Sequence, residues 1–75
     1  MSNFPQVKPT LLLKFFLKQG FTISRQVGSH ARLIHADGRK ITIAVHNKPI
    51  PLGTLQAILK QANMNKATFL KLHKK

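Results

Sequence analysis

Hydrophobic residues recur at four-residue intervals between residues 10 and 19, a pattern typical of an amphipathic helix. The helix should begin near Pro9 or Thr10, because proline is tolerated in a first turn and threonine can act as a cap. It should end at Gln19, since Gly20 favours a left-handed cap. The residues before Pro9 predict an irregular lead-in.

The spacing of hydrophobic residues changes to two between Phe21 and His46, which is typical of strands. Three strands are predicted over residues 21–26, 30–35 and 40–45. Gly28-Ser29 separates the first two, and Asp37-Gly38 is a strong hairpin signal between the second and the third.

The length of the hairpin loop decides which side chains share a face of the sheet. A two-residue loop pairs Ala36 with Arg39, whereas a three-residue loop with a left-handed Gly38 pairs Leu33 with Ile41. The longer loop separates the two faces, with one lined by Ala31, Leu33, Ile41, Ile43 and Val45, and the other by His30, Arg32, Ile34, Lys40, Thr42, Ala44 and His46. A one-residue slip would invert a strand, so we predict the three-residue loop.

A second amphipathic helix is predicted to begin at Pro51 or Leu52, since apolar residues then recur at intervals of three and four. Asn63 suits a left-handed cap, and Asn65 can cap a short last helix. Phe69 and Leu72 should pack inward. The order predicts an α+β fold, with a three-stranded antiparallel sheet, helices on one face and the other face open to solvent.

The composition supports one small domain over residues 1–75, with an ordered core at about 9–73, because 75 residues leave no room for a second core. A hydrophobic content of 43% suffices for that core. The absence of cysteine excludes disulfides and fits a reducing compartment. No apolar run approaches the ~20 residues of a membrane span. We therefore expect a cytoplasmic protein without membrane association.

Thirteen Lys and Arg residues face a single acid, Asp37, which gives a formal charge of +12. Such a chain attracts polyanions. Mg²⁺ sites, two-metal nucleases and paired-carboxylate hydrolases all need several carboxylates. No metal site and no cofactor are therefore expected.

Two histidines should lie close together on the open face of the sheet. His30 would oppose Ala44, and His46 would be its diagonal neighbour at about 7–8 Å. Imidazoles beside cations can cleave RNA through its own 2′-hydroxyl, since one removes a proton, another protonates the leaving oxygen and the cations stabilise the phosphorane. Imidazole suits both roles near neutral pH.

The remaining candidate residues lie on or beside the open face, or in the turns between strands. For RNA binding they are Ser29, Arg25, Arg32, Arg39, Lys40 and Lys48, and for structural turns Gly28, Asp37 and Gly38. A solvated sheet face is the alternative for each basic residue. His35 and His73 are expected to be surface residues.

Several short motifs follow one another along the chain. They are, in order, Gly20-Phe21, Gly28-Ser29-His30, Asp37-Gly38-Arg39, His46 after a β-run, and Gly53-Thr54-Leu55 followed by Ile58-Leu59 and Ala62. In this order and spacing they resemble the HicA family of toxins from bacterial and archaeal toxin–antitoxin pairs. The ordered set covers about residues 10–72. One departure is Ala44, where the family commonly has proline, so the third strand should pair further here.

The resemblance implies a fold like that of double-stranded RNA-binding domains, α-β-β-β-α. It also implies the toxin of a type II toxin–antitoxin system, an endoribonuclease that cleaves mRNA and inhibits translation, with His30 as its essential histidine. The implied partners are RNA and an acidic, HicB-like antitoxin. That antitoxin would cover the active face, and DNA would be contacted only through it.

Two other functions are compatible with a basic chain. A non-catalytic double-stranded RNA-binding module would share the fold and the basic face, and would bind phosphates and 2′-hydroxyls without forming product. A membrane-active peptide centred on residues 11–18 is the other alternative, but it would give no role to the hairpin and the second helix. We therefore favour the ribonuclease.

Overall fold

A computed structural model describes residues 6–73 as a helix, three antiparallel strands and two further helices. The elements are α1 (Pro9–Lys18), β1 (Phe21–Val27), β2 (His30–His35), β3 (Lys40–Ala44), α2 (Leu52–Gln61) and α3 (Lys66–His73). The predicted fold class is confirmed, and the order is consistent with the arrangement of double-stranded RNA-binding domains. Residues 6–8 are irregular as expected, while residues 1–5 of the lead-in, and Lys74 and Lys75, lie outside the described residues.

The sheet has the strand order β1-β2-β3, and its hairpin has the predicted three-residue loop. Leu33 pairs with Ile41, and the N–H of His35 donates to the carbonyl oxygen of Arg39 at 2.9 Å. Gly38 has a φ of 99°, the left-handed conformation that this loop requires. The register therefore separates a buried face from an exposed one, as the sequence indicates.

A bulge at Ser24 interrupts β1. Ile23 pairs with Leu33, but Arg25 pairs with Arg32, so the register shifts by one residue between Ile23 and Arg25. Without the bulge, Arg25 would lie on the same face as Ile23, towards the core. The extra residue places Arg25 on the open face instead. The sequence predicts that side chains alternate between the two faces along the whole strand, and this prediction is wrong at Ser24.

The helices lie on one face of the sheet, where α1 contacts β1 and β3, and α2 contacts β3. Phe15, Phe16, Phe21 and Phe69 form edge-to-face ring contacts at centroid distances of 5.1–5.2 Å. Phe69 is fully buried and Leu72 packs against this core, which confirms both expectations for α3.

The helix ends follow the predicted caps in three of four cases. Gly20 and Asn63 have positive φ after α1 and α2, and the side chain of Asn65 accepts a hydrogen bond from the Thr68 N–H at 2.7 Å. The cap expected from Thr10 is wrong, because α1 already begins at Pro9. None of the helices within residues 6–73 is long and apolar enough to span a bilayer.

Arg39 connects the hairpin to the end of α2 on the core side of the sheet. Its Nη1 donates to the carbonyl oxygen of Ala62 at 2.6 Å, its Nε donates to Asp37 Oδ2 at 2.8 Å, and its guanidinium lies over the ring of Phe21. A hydrogen bond from the backbone N–H of Arg39 and the charge of its side chain lower the pKa of Asp37 below its ordinary value of 3.8.

We expect Arg39→Met to destabilise the fold by about 1–2 kcal/mol, chiefly through the lost bond to the Ala62 carbonyl. The exposed pair with Asp37 adds little, and its share is present above pH 3.8 and is lost as the pH falls through the lowered pKa. Urea denaturation measures the change. Lys40→Met, which removes an exposed neighbouring charge, is the control and should change stability by less than about 0.5 kcal/mol.

Candidate active site on the open sheet face

The rings of His30 and His46 lie beside each other on the open face of the sheet. His30 begins β2 and pairs with Ala44 of β3, and the two ring centroids are 6.5 Å apart at an interplanar angle of 84°. The predicted proximity of the two histidines is thus confirmed. A separation of this size leaves room for a phosphate group to contact both imidazoles.

The backbone around Ser29 fixes the two histidines relative to each other. Gly28 turns the chain between β1 and β2 with a φ of 59°, a conformation that glycine adopts without a steric penalty. The carbonyl oxygen of Ser29 then accepts a hydrogen bond from the N–H of Val45 at 2.6 Å. This bond continues the pairing of β3 one residue beyond Ala44. Ser29 precedes His30 and Val45 precedes His46, so this one hydrogen bond holds the two histidines near each other.

Both imidazoles are available to a substrate. His30 and His46 are exposed, and neither makes a hydrogen bond or ion pair to another of the residues described in the structure. General acid–base catalysis needs such free nitrogen atoms within reach of the reacting oxygens.

A shallow groove of about 170 Å³ runs across the sheet beside His30. Arg25 and Arg32, which are paired between β1 and β2, line it together with Val27, His30 and Thr42. Val27 is 60% exposed and pairs with His30. The sequence does not predict that Val27 lines the groove, because Val27 reaches the open face only through the bulge at Ser24.

Only some of the predicted RNA-binding residues meet at this site. Arg25 and Arg32 line the groove, and Lys48 lines a second cavity together with His46. Ser29 contributes a backbone bond, and Lys40 pairs with Ile34 near the other end of β3. The structure does not bring Arg39 to the open face, because its guanidinium is bonded to Ala62 on the core side.

The other two histidines are half-buried, contrary to expectation. His35 makes an edge contact with the ring of Phe21, and its Nδ1 accepts a hydrogen bond from the N–H of Asp37 at 3.1 Å. His73 stacks on Phe69 at a centroid distance of 5.1 Å. Hydrophobic periodicity gives little indication of these ring contacts, which depend on how α3 and the hairpin pack.

The open face is electrostatically positive because the one acid of the chain is bound elsewhere. Asp37 lies in the hairpin turn and pairs with Arg39, so no Asp or Glu side chain neutralises Arg25, Arg32 or Lys48. Within residues 6–73, no group of three His or Asp side chains is placed to hold a metal ion. The polar side chains that line the groove on this face are the imidazole of His30, the guanidinium groups of Arg25 and Arg32, and the hydroxyl of Thr42.

Comparison with known proteins supports the family suggested by the motifs. A search of curated proteins finds no match. In contrast, the family model described as HicA toxin of bacterial toxin–antitoxin matches residues 12–64. This segment runs from α1 to the turn after α2, and includes all three strands, His30 and His46. The chain therefore belongs to the HicA toxin family, whose members act as toxins of toxin–antitoxin systems with a cognate antitoxin as partner.

Proposed function

We propose that the protein is a metal-independent endoribonuclease that cleaves mRNA and so inhibits translation. The observation that carries the proposal is the exposed pair of imidazoles, with ring centroids 6.5 Å apart on a face that holds no Asp or Glu side chain. RNA is the substrate that suits this face, because it supplies its own 2′-hydroxyl as the nucleophile and needs no metal-activated water.

The proposed reaction uses both imidazoles. One imidazole removes the proton of the 2′-hydroxyl, and the oxygen attacks the adjacent phosphorus. The bond from phosphorus to the 5′-oxygen breaks, and the other imidazole, as imidazolium, protonates that oxygen. The products are a 2′,3′-cyclic phosphate and a 5′-hydroxyl. We assign the main catalytic role to His30 and the second acid–base role to His46.

The cationic side chains beside the two histidines have two proposed roles, transition-state stabilisation and phosphate binding. Arg25 and Arg32 line the groove next to His30, where their guanidinium groups can stabilise the additional negative charge of the phosphorane. Lys48 is exposed beside His46 and can bind a flanking phosphate.

The antitoxin is the second partner in this proposal. A chain of net charge +12 with an uncompensated basic face is complementary to an acidic protein. We propose that a HicB-like, acidic antitoxin covers the open face and thereby blocks access to His30, and that the toxin reaches DNA only through it.

A single 2′-deoxy substitution tests the reaction. An RNA oligonucleotide should be cleaved in EDTA to give a cyclic phosphate end, and cleavage at one position should cease when the nucleotide 5′ to that bond lacks its 2′-hydroxyl. The same oligonucleotide with the 2′-deoxy substitution several nucleotides away is the control. Loss of activity in EDTA that returns with Mg²⁺ contradicts the mechanism. Salt-sensitive binding without product would instead support the RNA-binding module.

A further inference from the structure

An apolar cavity of about 380 Å³ opens beside His46, between the end of β3 and the start of α2. Its walls include His46, Lys48, Ile50, Thr54 and Ile58, together with proline rings on both sides of Ile50. The volume falls within the range of about 300–1,000 Å³ that small-molecule sites occupy. His46 is therefore a member of the imidazole pair and also forms part of the wall of this cavity.

We propose that this cavity binds the nucleobase of a nucleotide adjacent to the scissile phosphate, and so determines where the toxin cleaves. This inference rests on the proposed ribonuclease function. It assigns to the segment from Pro49 to Thr54 a role in substrate selection, in addition to the general attraction of RNA by positive charge.

The position of the cavity favours an RNA base as its occupant. A phosphate between His30 and His46 brings its flanking nucleotides within one nucleotide's length of the cavity, because His46 forms part of the wall. Lys48, on the same wall, can bind the next phosphate of the strand. Charge and continuity with the imidazole pair thus point to a segment of the same RNA strand.

The chemistry of the wall also suits a base. The proline rings and the side chains of Ile50 and Ile58 can pack against the apolar face of a nucleobase, while the hydroxyl of Thr54 can bond to its polar edge. Thr54 is exposed, and its side chain has no hydrogen-bond partner among the described residues.

The open sheet offers a base no comparable site. The groove beside His30 has a volume of about 170 Å³, which is below the range of about 300–1,000 Å³ that small-molecule sites occupy. The cavity beside His46, at about 380 Å³, lies within that range and is therefore the better candidate for the base.

The cavity wall is held in place by backbone contacts and does not need a ligand to form. The N–H of Ile50 donates to the carbonyl oxygen of Val7 at 2.8 Å, which connects the loop after β3 to the chain before α1. Pro49 and Pro51 restrict the backbone on both sides of that bond. A preformed cavity loses little conformational entropy on binding.

Abasic nucleotides provide the first test. RNA oligonucleotides carrying a ribose without a base, on either side of the cleaved bond, are compared with the parent RNA. We expect kcat/KM to fall about tenfold or more for one of the two positions, a change within the usual range for the contact of one base.

Two matched variants of α2 locate the effect. Thr54→Phe fills the cavity from an exposed position, whereas Gln56→Phe adds the same ring on a different face of the helix, away from the cavity wall. Thr54→Phe should lower kcat/KM about tenfold on the parent RNA and have little further effect on the abasic RNA, since both changes remove the same contact. Gln56→Phe should act like the wild type on both.

A binding measurement separates this inference from the proposed function. Chemical-shift changes of the Ile50 and Thr54 methyl groups are followed on titration with adenosine, guanosine, cytidine and uridine 3′-monophosphates and with ribose phosphate. Base-dependent shifts would support the cavity even if no RNA were cleaved. Normal cleavage that responds to neither abasic position nor to Thr54→Phe would overturn the inference and leave the ribonuclease function intact.

Discussion

Replacing His30 by glutamine should reduce the rate of RNA cleavage by about 10²–10⁴-fold, the usual contribution of a general acid or base. Glutamine is polar and of similar size but cannot transfer a proton near neutral pH. The side chain of His30 is exposed and makes no hydrogen bond to the residues that the structure describes. The fold should therefore be retained, and single-turnover cleavage of a labelled oligonucleotide measures the loss.

Two further variants place this loss in the active site. His46→Gln should also lower the rate, because its ring is the second imidazole at 6.5 Å from that of His30. His73→Gln changes the same residue type on α3, remote from the sheet groove, and should leave the rate close to that of the wild type. A folded His30→Gln protein that cleaves RNA at the normal rate would remove His30 from the mechanism.

Phe16→Ala is expected to cost about 3–5 kcal/mol of folding free energy, the usual range for truncating a buried phenylalanine. Phe16 is 0% exposed, and its ring contacts those of Phe15 and Phe21 at 5.1 and 5.2 Å. A small domain has about 5–15 kcal/mol in total, and a 75-residue chain lies towards the lower part of that range. The variant should therefore be largely unfolded in moderate urea, where the wild type remains folded.

Leu11→Ala is the matched control for that measurement. Leu11 lies on the same helix but is 52% exposed, so its truncation should cost less than about 1 kcal/mol. Circular dichroism against urea concentration compares the two midpoints. Equal midpoints for Phe16→Ala and the wild type would contradict the central position of this ring in the core.

The hairpin shows how far the sequence can determine the fold and the site. Asp37-Gly38 indicates the turn, and only one register separates the apolar from the polar positions of β2 and β3. That register in turn places His30 opposite Ala44 and brings His46 near it. The central pair of the candidate site was therefore predictable, because it depends on local pairing between adjacent strands.

Features that depend on tertiary contacts were not predictable in this way. The bulge at Ser24 has no distinctive residue to mark it, yet it decides that Val27 lies beside His30. Arg39 looks like any other basic residue near a turn, and its role depends on the carbonyl of Ala62, which is 23 residues away in sequence. The cavity beside His46 likewise joins α1, β3 and α2.

The bulge at Ser24 also has a consequence for the behaviour of the free protein in a crowded cell. β1 is an edge strand of the sheet, and such strands can recruit a strand from another molecule and start ordered aggregation. A bulge twists the strand and interrupts its row of hydrogen-bonding groups, while Arg25 adds charge at the same place. The irregularity that completes the cationic groove should thus also disfavour the pairing of separate copies through β1.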